Sequence, residues 1–284
     1  MKEEIWTKYN EYIQSQDTLR RYLSKGGILM NELNALFRKR IGLQEDVKLT
    51  FEKLDEILDK TAKTIPFENL SIMASHLSDI DKANIMNKVL VRNEGGLCYE
   101  LNSALYFFLL ENDFDVSLVR GVIYNQGWMT IGRTHVTILL NHEGQTYLID
   151  TGFGGNLPLK PVPLNGETVI SQNGEFRIKK ESTDHGDHIL ELKLKHKDRD
   201  WRIGYAFDSS QPVGNVAELN EVQTIIRENP QSPFNKHPLI TRLTNSGNIT
   251  LTDTSFTQWE NGKMTKEEID GTRFKELMKQ HFDR

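Results

Sequence analysis

One cysteine, Cys98, in 284 residues excludes an internal disulfide and the small cross-linked folds that need one. No run approaches the roughly 18 apolar residues of a membrane span. MKEEIWTKYN, at the start, has no apolar centre of the kind a secretory signal requires. These shortages make the cytoplasm the expected location. Excess positive charge is missing too: 35 basic against 40 acidic residues leave −5, which offers no field for nucleic acid or an anionic membrane. RRYLSK (20–25) and FRKR (37–40) are basic but lie on helical patterns and read as solvated faces. Neither a GxxxxGK[ST] loop nor a GxGxxG fingerprint occurs, so a Walker or Rossmann phosphate site is not expected. Repeats and low-complexity tracts are absent as well.

What is present divides by period. Up to about residue 112 the apolar positions recur at helical spacing, as in Leu33, Leu36 and Phe37 and again in Phe51, Leu54, Ile57 and Leu58. Pro66 interrupts this pattern. From Cys98 it resumes, with Leu101, Leu105, Phe108 and Leu109 on one side and Asn112–Asp113 as a stop, which predicts a core helix. From Val116 the period becomes two, in VSLVRGVIY, THVTILL (134–140) and QTYLID (145–150), then near FRIKK, HILELKLK and WRIGYAF. Short strands with polar turns predict an antiparallel sheet or small barrel within an α+β fold. Strand patterns in LITRLT and NITLTD and a closing helix around RFKELMKQHF complete the chain.

Cys98 lies in NEGGLCYELN (93–102). Gly95 and Gly96 permit close backbone approach, and the helix begins at the cysteine, where unpaired N–H groups and the positive helix end favour a thiolate and can hold an oxyanion. A base is found from the following hairpin. A four-residue NHEG loop would set Leu140 opposite Gln145, Ile138 opposite Tyr147 and His135 opposite Asp150, at the ~4.5–5.5 Å Cβ separation of direct pairs. Asp150 would then accept from Nδ1 of His135. Thiol, base and orienter together follow the logic of covalent catalysis.

EGGLCYELN (94–102), THVTILL (134–140) and DTGFG (150–154) resemble the arylamine N-acetyltransferases, whose usual pattern is RGGxCxExN, a His in an apolar strand, and DVGFG. The resemblance extends through RIGL (40–43), TIPFENL (64–70), LPLKP (157–161) and QSPFNKHPLITRLTNSGNITL (231–251). It implies three units around a cysteine-protease-like core. A helical bundle would span 1–115 with an extra segment at 1–30, an antiparallel β-barrel 116–204, and an α/β lid 205–284. It implies acetyl-CoA as donor, a ping-pong reaction through a Cys98 thioester, and an arylamine, hydrazine or arylhydroxylamine as acceptor; separately, the charge balance and the residue spacing lead us to expect no metal, nucleic acid or membrane partner. By position, Cys98 would be nucleophile, His135 base and Asp150 orienter. Phe67 and Phe153 would line the acceptor pocket, and Thr130 and Gly132 would approach the cofactor.

Two departures stand out. The family's arginine before the paired glycines is Glu94 here, with Arg92 two residues earlier; its usual partner, the glutamate of PFEN, is Glu68. Two carboxylates would repel, so Arg92 or another cation is expected to supply the charge. About thirty residues also precede the resemblance, and the spacing of Ile5, Trp6, Tyr9, Tyr12 and Ile13 predicts an added helix. His185 and His188 in TDHGDH have only a weak metal-like spacing. Three other readings stay open: an aspartic-protease motif in LIDTG (148–152), which would require a dimer; a papain- or transglutaminase-like enzyme with Cys, His and Asp in this order; and a catalytically weakened binding protein, for which Glu94 is the reason.

Overall fold

A computed structural model describes residues 31–282. The added N-terminal helix expected around Trp6 and Tyr9 lies outside the described residues. Helices α1 (Asn31–Ile41), α2 (Leu54–Thr64), α3 (Leu70–Met73), α4 (Lys82–Ile85) and α5 (Cys98–Leu110) come first, with a two-residue strand β1 (Phe67–Glu68) among them. Ile65 is extended at the end of α2, because a residue before proline is pushed out of the helical region.

The expected core helix is α5, which is buried without a break from Cys98 to Leu105. A largely apolar helix buried on every face needs other elements packed all round it. Phe37 of α1 stacks on Phe108 at 4.3 Å, and the same core includes Leu54, Ile57 and Leu58 of α2. Left-handed Asp113 (φ 63°) follows the end of α5, at the stop that the sequence marks.

Eight strands form the antiparallel barrel: β2 (Asp115–Ile123), β3 (His135–His142), β4 (Gln145–Ile149), β5 (Val162–Pro163), β6 (Val169–Ile170), β7 (Gly174–Thr183), β8 (Gly186–Leu194) and β9 (Arg202–Pro212). Their spatial order is β5-β4-β3-β2-β9-β8-β7-β6, and β5 returns against β7, so the barrel is nearly closed. Phe176, Ile178, Leu190, Leu192 and Phe207 fill it. The last strand runs to Pro212, so the boundary expected after residue 204 falls inside β9.

Helix α6 (Leu219–Glu228), strands β10 (Leu239–Leu243), β11 (Gly247–Thr252), β12 (Ser255–Glu260) and β13 (Lys263–Glu268), and α7 (Gly271–Phe282) complete the described chain. The five-stranded sheet runs β1-β10-β11-β12-β13, so β1, from among the N-terminal helices, extends the C-terminal sheet. Ile240, Ile249 and Leu251 pack on Phe274, Leu277 and Met278 of α7.

The hairpin register differs from expectation. His142 pairs with Gln145 and Leu140 with Tyr147, so the loop is the two-residue Glu143–Gly144 rather than four residues. Both loop residues have positive φ (49° and 79°), the turn that matches strand twist. The register is displaced by two residues. Side chains alternate with period two, so this displacement keeps every side chain on its expected face and turns a direct neighbour into a diagonal one.

Candidate active site

His135 and Asp150 meet despite the altered register, through Nε2 and Oδ2 at 2.8 Å. The expectation of Nδ1 is corrected: with Nε2 given to the carboxylate, Nδ1 is the nitrogen left to face Cys98, which also acts on the ring's charge. Cys98 Sγ also lies 3.5 Å from the carbonyl of Thr134. All three expected residues are brought together, and they are 7 %, 3 % and 2 % exposed for Cys98, His135 and Asp150, so little water weakens their interactions.

Burial alone would push the imidazole pKa down. The Asp150 charge, the Asp150 hydrogen bond and Cys98 outweigh it and raise the pKa to about 10. Burial likewise works against the Asp150 carboxylate, but His135, Asn102 and the Gly152 N–H hold its pKa below the usual value. Asp150 Oδ1 accepts from Gly152 N at 2.7 Å and Asn102 Nδ2 at 2.9 Å, while Oδ2 also accepts from Tyr205 Oη at 2.8 Å. Burial first, and then the Asp150 charge, push the Tyr205 pKa well up, so this hydroxyl remains a donor.

Sequence reasoning gave Asn102 and Tyr205 no role. Asn102 lies one turn beyond Cys98, on the same helix face. Its Nδ2 donates to Val136 O (2.7 Å) and Asp150, and its Oδ1 accepts from Thr151 N (2.9 Å), so one amide joins the nucleophile helix to both strands of the hairpin. The four-residue spacing from Cys98 was the available signal. Nothing in WRIGYAF singles out Tyr205, because β9 reaches the hairpin only through barrel closure.

The paired glycines have separate reasons. A Cβ at Gly95 would lie 2.0 Å from Pro66 O, and one at Gly96 would lie 2.6 Å from Glu100 Oε2. Thus Gly95 lets PFEN lie against the catalytic loop, where Glu68 N donates to Gly96 O at 2.9 Å. Gly96 leaves room for Glu100 Oε2 to accept from Leu97 N at 3.0 Å, at the start of α5. Asn69 completes the motif. Its amide donates to Phe234 O (2.9 Å) and His237 O (2.8 Å) and accepts from Leu239 N (2.7 Å), which brings Phe234 edge-on to Phe67 at 5.5 Å between centroids.

The charge problem at Glu94 is resolved beneath this loop. Arg92 grips Glu94 with two bonds, Nε–Oε1 at 2.8 Å and Nη2–Oε2 at 3.0 Å. The expected compensating cation is therefore Arg92, and the isolated carboxylate that argued for a weakened site is not there. Lys88 adds a second cation from a π-helical turn, Met86–Val91, and donates to Glu100 Oε1 at 2.6 Å. Burial opposes its charge, but Glu100, Glu68 and Glu94 more than offset that and push its pKa up. Burial also pushes the Glu100 carboxyl up, and Lys88 pulls it back in part. Since Glu100 accepts from both the ammonium and the Leu97 N–H, we assign the pair as charged. Lys88→Met would strand Glu100 uncompensated and is expected to lower stability by about 3 kcal/mol. Urea unfolding checks this, and an unchanged midpoint would refute it.

A cavity of about 530 Å³ opens over the thiol, lined by Phe67, Cys98, His135, Gly152, Phe153 and Phe234, among others. Phe67 and Phe153, expected at an acceptor pocket, both line this cavity. Thr130 and Gly132 do not line it; Met129, Ile131 and Thr134 of the same loop do. Thr130 Oγ1 instead bonds Gln231 Oε1, across to the segment after α6. His185 packs at a tilt against Trp128 and His188 stacks on Phe207, so the TDHGDH histidines face different neighbours. No group of three His, Cys, Asp or Glu among the described residues is placed to hold a metal, and no described helix is long and apolar enough to cross a membrane.

Residues 50–283 match the N-acetyltransferase family. The chain is 40% identical over 248 residues to the uncharacterized acetyltransferase YvcN of Bacillus subtilis, covering 86% of this chain and 95% of that protein. Two solved structures are similar. Arylamine N-acetyltransferase C from Bacillus anthracis has 40% identity and a TM-score of 0.85, over 90% of this chain and 99% of that one. An arylamine N-acetyltransferase of Bacillus cereus with a Cys-His-Glu catalytic triad has 41% identity and a TM-score of 0.83, over 87% and 96%.

Proposed function

Since this chain belongs to the arylamine N-acetyltransferase family, we propose that it moves an acetyl group from acetyl-CoA to an aromatic amine through a thioester on Cys98. The arrangement of thiol, imidazole and carboxylate carries this reading. Asp150 takes the third place in the triad, the one a glutamate fills in the Bacillus cereus relative.

Cys98 reacts as its thiolate, the nucleophilic form of a cysteine, beside the positive His135 ring. That thiolate attacks the acetyl carbonyl. The developing oxyanion is taken by first-turn N–H groups of α5, those of Cys98 and Tyr99, which have no intrahelical acceptor. As the carbon–sulfur bond to CoA breaks, His135 gives its proton to the departing thiolate. Acetylation removes the sulfur charge that helps hold this proton, so the change in the ring's affinity runs in the needed direction. In the second half-reaction the amine nitrogen attacks the thioester, His135 takes its proton, and Cys98 leaves as thiolate, restoring the starting state. Asp150 keeps the ring oriented throughout.

Phe67, Phe153 and Phe234 offer aromatic walls suited to an aryl acceptor. Hydrazines and arylhydroxylamines present the same nucleophilic nitrogen and fit this scheme. Acetyl-CoA would approach past the loop that carries Thr130 and Gly132, between the barrel and the segment after α6.

Intact mass spectrometry after mixing with acetyl-CoA alone is expected to reveal one adduct of about 42 Da on Cys98, discharged on adding an arylamine. Absence of that adduct under single-turnover conditions would refute the reaction.

A further inference from the structure

The cavity over Cys98 has an uneven charge. Among the described residues lining it there is no Asp or Glu, and besides His135 the charged side chain is Arg202. Local structure aims Arg202 there. Leu190 pairs with Tyr205 but Glu191 with Ile203, which makes Gly204 an unpaired extra residue in β9. A bulge of this kind redirects the side chains beside it. A Cβ at Gly204 would lie 3.0 Å from Phe153 Cε1, so the glycine also lets the Phe153 ring close against the strand next to Arg202.

The guanidinium is held rather than loose. Nε donates to Asp198 Oδ2 at 3.0 Å and Nη2 to Asn156 Oδ1 at 2.8 Å. Asn156 lines the cavity, whereas Asp198 does not. Asp198 Oδ2 also accepts the Leu194 N–H at 2.9 Å, so its charge is shared. Five N–H donors in a rigid fork leave donors over after these two bonds. Such a fork matches a carboxylate or sulfonate, and its orientation is set in advance by its two anchors.

We propose that Arg202 selects acceptors: the preferred substrates are aromatic amines that carry a carboxylate or sulfonate, with the ring among Phe67, Phe153 and Phe234 and the anionic group on Arg202. This assignment rests on the acetyl-transfer reading of the site. It names the acceptor class and makes Arg202 a specificity residue, not a catalytic one.

The decisive comparison pairs 4-aminobenzoate with 4-aminobenzamide, which are nearly the same in shape and differ in charge. Wild-type kcat/KM is expected to favour 4-aminobenzoate. Arg202→Gln should lower the aminobenzoate-to-aminobenzamide ratio by about tenfold or more, and Arg202→Lys should restore part of it. Taking the ratio of ratios cancels the intrinsic reactivity of the two amines. A parallel fall for both acceptors would make Arg202 merely structural and overturn the proposal. So would an equal fall in the rate at which acetyl-CoA alone acetylates Cys98, which would place Arg202 on the donor's phosphates. Calorimetric binding of the two ligands to the unacetylated wild-type protein needs neither turnover nor a variant. Tighter binding of 4-aminobenzoate, weakened by salt, supports the assignment even if acetyl transfer itself fails; equal affinities refute it.

Discussion

Asp150→Asn is expected to slow acetylation of Cys98 by acetyl-CoA by about 10⁴-fold, the scale seen when the orienting carboxylate of a catalytic triad becomes an amide. Asp150 accepts four hydrogen bonds, two on each oxygen, from Gly152 N, Asn102 Nδ2, His135 Nε2 and Tyr205 Oη. An asparagine must turn an NH₂ group towards one pair of donors. If it faces His135 and Tyr205, the ring loses its acceptor; if it faces Gly152 and Asn102, the link between α5 and the hairpin breaks. Either way a buried donor is left without a partner.

The same substitution has a signature in pH. The His135 pKa, raised to about 10, is the basic limit of the charged pair in wild type. Stability from the raised imidazole is fully present below its ordinary value near 6.5 and is lost as pH rises through about 10. For Asp150 the sign is opposite: its contribution is present above the ordinary value of 3.8 and is lost as pH falls through the lowered one. Without the Asp150 charge, burial acts on the ring with only Cys98 against it, and the imidazole loses its proton at lower pH. Stopped-flow acetylation rates are therefore expected to fall near pH 10 in wild type and at distinctly lower pH in Asp150→Asn. Superimposable basic limbs would show that the carboxylate does not hold the proton.

Gly152→Ala is expected to disable the site by displacement. A Cβ at Gly152 would lie 2.5 Å from Cys98 Cα, 2.8 Å from Asn102 Nδ2 and 3.0 Å from Cys98 Cβ. The first of these is backbone of a helix buried on all sides, with no room to retreat. The chain must instead part α5 from the hairpin, moving Sγ relative to His135. A shift of about 1 Å suffices for a 10²-fold loss in rate, and such overpacking costs about 1–3 kcal/mol of stability. Gly155→Ala, three positions from the clash, is the control, since nothing lies within 4 Å of a Cβ there. Single-turnover acetylation and thermal unfolding measured on both variants test this, and wild-type rates in Gly152→Ala would contradict the assigned close approach.

Much of the site was legible because its parts depend on local chemistry. The paired glycines, the helix start at Cys98 and the alternation through His135 can all be read within a few residues. The association of His135 with Asp150 was reached even though the loop length was wrong. A two-residue error preserves the face of a strand, whereas a one-residue error would have turned Asp150 away. Which ring nitrogen meets which partner was not legible, since it depends on the ring's approach rather than on strand parity. Glu94 shows the same divide. Its need for a cation followed from charge alone and Arg92 was a nearby candidate, but Lys88 reaches the same network through a π-helical turn that its sequence does not announce.

By itself the sequence determined what short-range physics governs: the helix that carries Cys98, the strands around His135 and Asp150, the shortage of positive charge, and a set of motifs pointing to acetyl transfer. Only the tertiary structure decided how distant segments complete the site. Tyr205 reaches Asp150 because the barrel closes, and Asn69 holds Phe234 against Phe67 across more than 160 residues of chain. A bulge at Gly204 sets Arg202 on the cavity wall. These contacts leave no periodic trace, because each is specified by the mutual packing of whole elements and not by the spacing of neighbours within one of them.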